Sequence, residues 1–581
     1  MTRVFAAPRV QLGLLVLLVL GIYYPVIFSD VNIIDDQKMI MGLSDVDRLD
    51  LKGLFFPAQH GSYYRPLLAL SFVLDKVLWD MDPTFLHLEN MLIHLVNVFL
   101  VYMLARQVLR YWLIDAEPVP FLAALIFALH PINVEPIAWI SGRTDPLATV
   151  FLLSSLLLFF KGLEKDSSVL VGVSSLVLLG GATVKETVVF FAPVSIAIMY
   201  VSSKGERARR VRNLLFGCGP FAISFFVYLG LRTNWFSKID QGMNLLKTAN
   251  HYGLYDTFRV VFKIVGFYTK KLFIPYPLNF AILDVSNWYV LLGCATVIVI
   301  GLLCRKCRNV PSFSFAITVY MMIPAIIVAF IGIAWTPLAE RYLYIPSIFW
   351  SFAVAFAGYR AFHVCNKDEM VVPLIMLILL PVSVTTSRRV LVWQDNSKLY
   401  ADTLKKSPGF NSIRNELGIA LANRGNVEAA KQQLLVAIAN DRQANNPLYY
   451  INYSFILAKE GNFKEAHRVI IDTLNKNPHD RIELYKALIK INTDMMMSDQ
   501  KISAKEKLKL FEENYRSWQY IFQATHDSFA MYRAGQSAIA IGNKRQAGDC
   551  FLLAFRNAPV DAYYREPARK LATKLLGRKI E

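Results

Sequence analysis

The sequence predicts an all-α protein in two parts, a polytopic membrane domain over residues 1–388 and a helical-repeat domain over residues 389–581. Three observations predict it. Hydrophobic residues make up 55% of the 581 residues and charged residues only 18%, with a mean hydropathy of +0.38. The apolar excess lies before residue 390 in runs that reach or approach the ~20 residues needed to cross ~30 Å of hydrocarbon. After residue 390 the chain turns polar, and small residues recur there at a fixed interval.

About eleven spans follow from the hydropathy pattern, beginning near residues 10, 85, 119, 144, 169, 187, 213, 288, 312, 343 and 370. The first, Val10 to Phe28, follows Arg3 and Arg9 and has no small-residue cleavage site after it, so it reads as an uncleaved span. Pro66 to Trp79 is short and ends in acidic residues, whereas Phe258 to Phe273 carries Arg259, Lys263, Lys270 and Lys271 on one helix face. Both read as helices lying in the interface.

The net charge of +18 is explained by short loops that orient insertion, so no nucleic-acid partner is expected. Lys204 to Arg212, Arg305 to Arg308, and Arg106 with Arg110 all fall on the cytoplasmic side when the N-terminus is cytoplasmic. The repeat domain then lies outside, in the periplasm of a bacterial inner-membrane protein or in the lumen if the membrane is that of the endoplasmic reticulum. The six cysteines are too scattered for a disulfide framework. Cys304 and Cys307 have CxxC spacing but lack the further ligands of a structural zinc site.

This topology gathers the polar clusters of the membrane half at the outer ends of the apolar runs. Ionisable groups at membrane depth are costly, so their convergence marks a functional site. Asp35 and Asp36 open the first outer loop, where a paired carboxylate serves as general base or binds a divalent metal such as Mg2+ or Mn2+. Arg341, between Glu340 and Tyr342, offers the two-pronged geometry that grips phosphate oxygens. Lys185 neutralises a phosphate with Glu186 beside it, or the two form a buried ion pair. Arg65 belongs to the outer Tyr63-Tyr64-Arg65-Pro66 cluster.

His130, Glu135, Arg143 and Asp145 share one outer hairpin broken by Pro131 and Pro136. Arg143 and Asp145 are close enough to pair as a scaffold, Glu135 is placed to contact a sugar hydroxyl, and His130 reads as a cap. Tyr63, Tyr64, Trp139 and Trp335 fit an aromatic interface belt. Phosphate-cradling glycine loops, HExxH and Ser-His-Asp spacing are absent from the sequence, which argues against ATP-driven pumps, zinc proteases and typical hydrolases.

In the second part, Gly425, Gly461 and Gly542 align. Ala430, Ala466 and Ala547 follow each at the same spacing, and Gly418, Ser454 and Gly535 precede each at another. Pro478 and Pro559 close the second and third units, and Pro447 closes the first late. This is the tetratricopeptide pattern of stacked helix pairs. Residues 479–530 read as helical without these marks, and Trp393 to Pro408 reads as a further partial unit.

Several stretches together resemble the transmembrane-and-tetratricopeptide (TMTC-like) proteins. They are Tyr64-Arg-Pro-Leu-Leu-Ala-Leu-Ser-Phe72, His87-Leu-Glu-Asn-Met-Leu-Ile-His94, Ala128-Leu-His-Pro-Ile-Asn-Val-Glu135 and Gly142-Arg-Thr-Asp145. Val184-Lys-Glu-Thr187, Pro277-Leu-Asn279, Ala339-Glu-Arg-Tyr-Leu-Tyr-Ile-Pro-Ser347 and Trp393-Gln-Asp395 complete the series in order. The resemblance implies a GT-C fold and an inverting, O-mannosyltransferase-like enzyme that moves a hexose from a polyprenyl-phosphate-linked donor to an acceptor hydroxyl, plausibly Ser or Thr of a protein, on the outer face. It implies a base or metal-site carboxylate at Asp35 or Asp36, and phosphate contacts at Arg341 and Lys185. The partners expected are the lipid-linked sugar, an acceptor protein met by the repeats, and membrane lipids. The rival reading is a non-catalytic membrane scaffold whose repeats recruit partners.

Overall fold

The computed structural model describes residues 7–43, 51–55, 64–195, 198, 219–232, 253–306, 310–331, 336–367, 370–441, 445–476, 481–498 and 502–580. Every extended element among them is helical, and pairing between extended segments is limited to one isolated antiparallel bridge, Ile282 with Leu338. The basic loop at 204–212, Tyr63, Cys218, Cys307, Trp335 and Pro478 lie outside the described residues.

Two compact units divide at Ser407 and Pro408. The position expected for the boundary, 388/389, falls inside the helix Val371–Trp393. The segment expected to be a partial repeat forms the helix Asn396–Lys406, capped by the Asp395 side chain, and belongs to the first unit. Asn396 Nδ2 donates to Val31 O, and the Tyr400 hydroxyl meets Asn32 Oδ1, which ties this helix to the segment that follows Pro8–Phe28.

Each of the eleven expected apolar stretches is helical where described, but they are unequal. Six are long and apolar enough to cross a membrane: Pro8–Phe28, Pro83–Tyr111, Ile140–Glu164, Val310–Phe330, Glu340–Val364 and Val371–Trp393. A seventh, Val119–Leu129 with Pro131–Ala138, is bent by 54° where His130-Pro131 interrupts the helix. The other four, Ser168–Ala182, Glu186–Ser195, Gly219–Arg232 and Tyr289–Arg305, are shorter apolar helices. The chain is therefore a membrane protein by the length and composition of its helices, with six or seven full-length candidate spans among the described residues in place of the eleven counted from hydropathy. Hydropathy registers apolar runs, whereas helix length also depends on where proline and glycine break them.

The wholly buried helix Val119–Leu129 sits at the centre of this unit. Pro83–Tyr111 packs against it and against Thr144–Glu164, and Tyr344–Val364 packs against it and Val310–Tyr320. Pro66–Trp79 and Leu254–Phe273 are helices but do not qualify as spans. At the crossing of Leu254–Phe273 with Tyr289–Lys306, Gly266 and Gly293 bring backbone against backbone, and a Cβ on either glycine would collide with a carbonyl. The basic face expected on Leu254–Phe273 is largely neutralised. Lys271 is buried against Glu340, Lys263 pairs with Asp284, and Arg259 with Asp256.

The second unit is a run of helix pairs. Gly425, Gly461 and Gly542 each adopt a positive φ of 80 to 89° that ends the first helix of a pair. The next residue closes the end: Asn426 N–H donates to Leu421 O, Asn462 N–H to Leu457 O, and Asn543 N–H to Ala538 O. The expected small residues are contact points. A Cβ on Gly418 would meet Leu434, one on Gly535 would meet Phe551, and Ala430, Ala466 and Ala547 are fully buried. Residues 481–498 and 504–525 also form a helix pair without the repeat marks, ending at His526 in the left-handed conformation that glycine takes elsewhere.

Candidate active site

Short helical turns position the polar residues of the first unit at one end of its helices. Asp36 begins the helix Asp36–Leu43, Arg65 precedes Pro66 at the start of another, and 3-10 turns at Ile140–Arg143 and Glu340–Leu343 lead into two long helices. Such turns carry charged side chains to the helix ends without leaving the apolar interior. A cavity of about 900 Å3 opens there, lined by Asp35, Arg65, Asp145, Lys185, Glu186, Arg341 and Tyr342 among others. Residues more than 300 positions apart in sequence thus share one wall.

Three cations face this cavity, and each is held by its own carboxylate. Arg341 Nη1 donates to Glu135 Oε1 at 2.6 Å. Lys185 Nζ donates to Asp145 Oδ1 at 2.6 Å. Arg65 grips Glu186 with two bonds, Nη2 to Oε1 at 2.8 Å and Nε to Oε2 at 3.1 Å. Arg341 also lies over the rings of Trp139 and Tyr342, 5.1 and 5.0 Å from their centroids. The aromatic faces favour the guanidinium and help fix its plane.

These pairings differ from those expected within each motif. Lys185 and Glu186 do not pair with each other but with Asp145 and Arg65. Nor do Arg143 and Asp145 form a scaffold pair. Arg143, 1% exposed, bonds Asp75 at 2.5 Å, Asn90 Oδ1 at 2.7 Å and Leu86 O at 3.2 Å, and stands apart from the cavity lining. Neighbours in sequence on a turn point in different directions, and each charge finds a partner brought by another helix. His130 caps the turn at Ile132 N–H and its Nε2 meets Leu272 O at 2.9 Å, the structural role the sequence suggested. Glu340 accepts from Lys271 and from Asn279 N–H, away from the cavity lining.

The two adjacent aspartates also separate. Asp36 is fully buried, accepting from Ser141 N–H at 2.8 Å and Ser141 Oγ at 2.5 Å on one oxygen, and from Asn32 N–H at 3.3 Å on the other. Burial pushes its carboxyl up to about 6 despite these donors. It ties the 29–36 segment to the 140–143 turn and stands apart from the cavity lining. Asp35 is exposed and lines the cavity. Partial desolvation raises its carboxyl, while Arg341 and Lys38 draw it down. With Asp36 engaged elsewhere, the pair does not fit a shared Mg2+ or Mn2+. Among the described residues no three His, Cys, Asp or Glu side chains gather to hold a metal.

Three supporting residues escaped the sequence reading: Ser141, which holds Asp36, Asp75, which holds Arg143, and Lys271, which holds Glu340. Asp75 and Lys271 lie on the two helices read as interfacial. An Asp-Lys pair inside an otherwise apolar helix, as Asp75 and Lys76 are, was the available signal.

The chain was compared with known proteins. No family profile matches it. It is 26% identical over 392 residues to a Caenorhabditis elegans protein named Protein O-mannosyl-transferase F38B6.6, covering 65% of this chain and 54% of that one. It is 24% identical over 453 residues to mouse Protein O-mannosyl-transferase TMTC3, covering 71% and 48%, and 25% identical over 476 residues to human TMTC4, covering 70% and 62%. The chain spans about half the length of the curated relatives it matches. Its overlap with the solved tetratricopeptide protein YrrB, at 17% identity over 37% of this chain and 98% of that one, has a TM-score of only 0.21. By sequence the chain is TMTC-like, a homologue of the animal proteins that carry that family's name.

Proposed function

We propose that the chain is a membrane glycosyltransferase that moves a sugar from a polyprenyl-phosphate donor to an acceptor hydroxyl. The observation that carries this reading is the cavity itself: three cations, each backed by a private carboxylate, face one exposed aspartate. A phosphate group entering it meets Arg341, Lys185 and Arg65, none of which has to leave its own partner. Fixed charges in a desolvated site stabilise the negative charge that develops on a departing phosphate. The relatives' names, which speak of O-mannosyl transfer, favour mannose as the sugar and a Ser or Thr hydroxyl of a protein as the acceptor.

In this mechanism the acceptor oxygen attacks the anomeric carbon from the side opposite the phosphate. The new C–O bond forms as the bond to the phosphate oxygen breaks, and the electron pair stays with the phosphate. Asp35 takes the hydroxyl proton, and the anomeric configuration inverts. A carboxyl raised by desolvation suits a general base, and the nearby Arg341 guanidinium opposes that rise. The cavity opens on the extracytoplasmic side, and the repeat unit presents the acceptor protein. No step passes through a metal.

The test is a single substitution in the full chain, assayed with a mannosyl polyprenyl phosphate and a Ser/Thr-containing acceptor. Asp35→Asn is expected to lower transfer by at least 100-fold, the scale of general-base loss, with an unchanged melting temperature. A parent that transfers, together with an Asp35→Asn variant that transfers equally well, refutes the assignment of the base. Transfer absent from the parent, with activity in the cell intact in cavity variants and lost in repeat-surface variants, favours the scaffold.

A further inference from the structure

A second cavity, of about 880 Å3, lies along two of the same helices. The helix Thr144–Glu164 supplies Thr144 and Asp145 to the first cavity and Leu156 and Phe160 to the second. Tyr344–Val364 supplies Ile345 and Pro346 to the first, and Ile348, Phe352, Phe356 and Arg360 to the second. At 1.5 Å per residue, Asp145 and Phe160 stand about 22 Å apart along the helix axis. The second cavity begins within one turn of the first, at Ile348 beside Pro346, and runs away from it to Arg360 near the far end of the helix.

The chemistry of the second cavity is unlike that of the first. Ile348, Phe352, Phe356 and Arg360 are spaced by four residues and form one stripe about 18 Å long, apolar until its last member. Ser314 and Cys304, which also line it, spend their polar atoms on Val310 O and Ser312 O. Trp112 borders the cavity at the Arg360 end, and Arg305 follows the lining residue Cys304 there. Arg360 is exposed. A tryptophan and arginines at the end of an apolar trough between membrane helices mark the level of lipid headgroups. Cavities of this size lined mainly by apolar groups with one fixed charge suit an amphiphile whose charged end has the opposite sign.

We propose that this cavity binds one anionic glycerophospholipid of the leaflet opposite the sugar-transfer cavity, an acyl chain lying along Ile348, Phe352 and Phe356 and the phosphate at Arg360. The inference is independent of the proposed transfer reaction, because it uses none of the residues assigned to that site.

The test uses the full chain, purified in detergent and stripped of lipid. It is titrated with dioleoyl-phosphatidylglycerol or dioleoyl-phosphatidylcholine, and the tightest lipid adduct is read by native mass spectrometry. The parent should bind phosphatidylglycerol about fivefold more tightly, the preference that one arginine near anionic lipid produces. Arg360→Glu, at an exposed position, should erase that preference, and Ala316→Trp should weaken both lipids by filling the cavity. Ala316→Leu replaces Ala316→Trp if the larger side chain prevents folding. Equal affinity of the parent for the two lipids overturns the proposal. So does a preference that survives Arg360→Glu, or binding that a filled cavity leaves unchanged. One-for-one displacement by polyprenyl phosphate also overturns it, since the cavity would then hold the tail of another lipid.

Discussion

Removing the Lys185 ammonium isolates a charge that the fold has already left short of partners. Lys185 and Asp145 are both at least nine-tenths buried, and among the described residues their contact at 2.6 Å supplies the one hydrogen bond to the Asp145 carboxylate, whose Oδ2 is buried with no hydrogen-bond partner among them. Lys185→Met therefore strands a buried anion. Breaking a buried pair from one side costs about 3–5 kcal/mol, whereas replacing both members by apolar groups is near neutral. The double variant Lys185→Met/Asp145→Leu should accordingly regain most of the stability lost by Lys185→Met alone. It should not regain transfer, because the phosphate then lacks one of its cations. The assay is a four-member mutant cycle in one detergent, with unfolding followed by helical circular dichroism and transfer measured on the same preparations. The reasoning is refuted if Lys185→Met lies within about 0.5 kcal/mol of the parent, the level of ordinary surface substitutions. A double variant less stable than Lys185→Met refutes it equally.

The buried carboxyl of Asp36 makes a second prediction, on pH. Burial pushes it up to about 6 from the ordinary 3.8 of an unfolded chain, so between those values the folded state holds more protons than the unfolded state. Stability from this group is fully present below 3.8 and is lost as pH rises through about 6, a change of about 3 kcal/mol at 1.36 kcal/mol per unit. Asp36→Asn should remove that part of the slope, and melting curves of parent and variant that run parallel from pH 4 to 7 would exclude it. In the repeat unit, Gly535→Val should cost about 1–3 kcal/mol, because a Cβ there already meets the Phe551 ring at 2.8 Å. A variant melting with the parent would show that the ring moves aside freely.

Much of the architecture was legible in composition and spacing because those properties act locally. Apolar runs specify helices that seek the membrane, and Gly425, Gly461 and Gly542 end helices through a positive φ that their lack of a Cβ permits. The helix pair at 481–498 and 504–525 shows that the repeat marks are not required for such a pair, since packing completes what the signature omits. The span count was less legible, because an apolar run of 15 residues such as Ser168–Ala182 reads like a longer one in a sliding average.

By itself, then, the sequence determined the two-part all-α organisation, the repeat register and the residue types that would gather at one end of the membrane helices. Only the tertiary structure decided which charge holds which. Asp35 and Asp36 are neighbours in the chain, yet one faces the cavity and the other is buried under Ser141. Lys185 and Glu186 likewise answer to Asp145 and Arg65. The physical reason is that a buried charge must be matched within a few ångströms, and in a helical bundle those ångströms are crossed between helices, not along the chain.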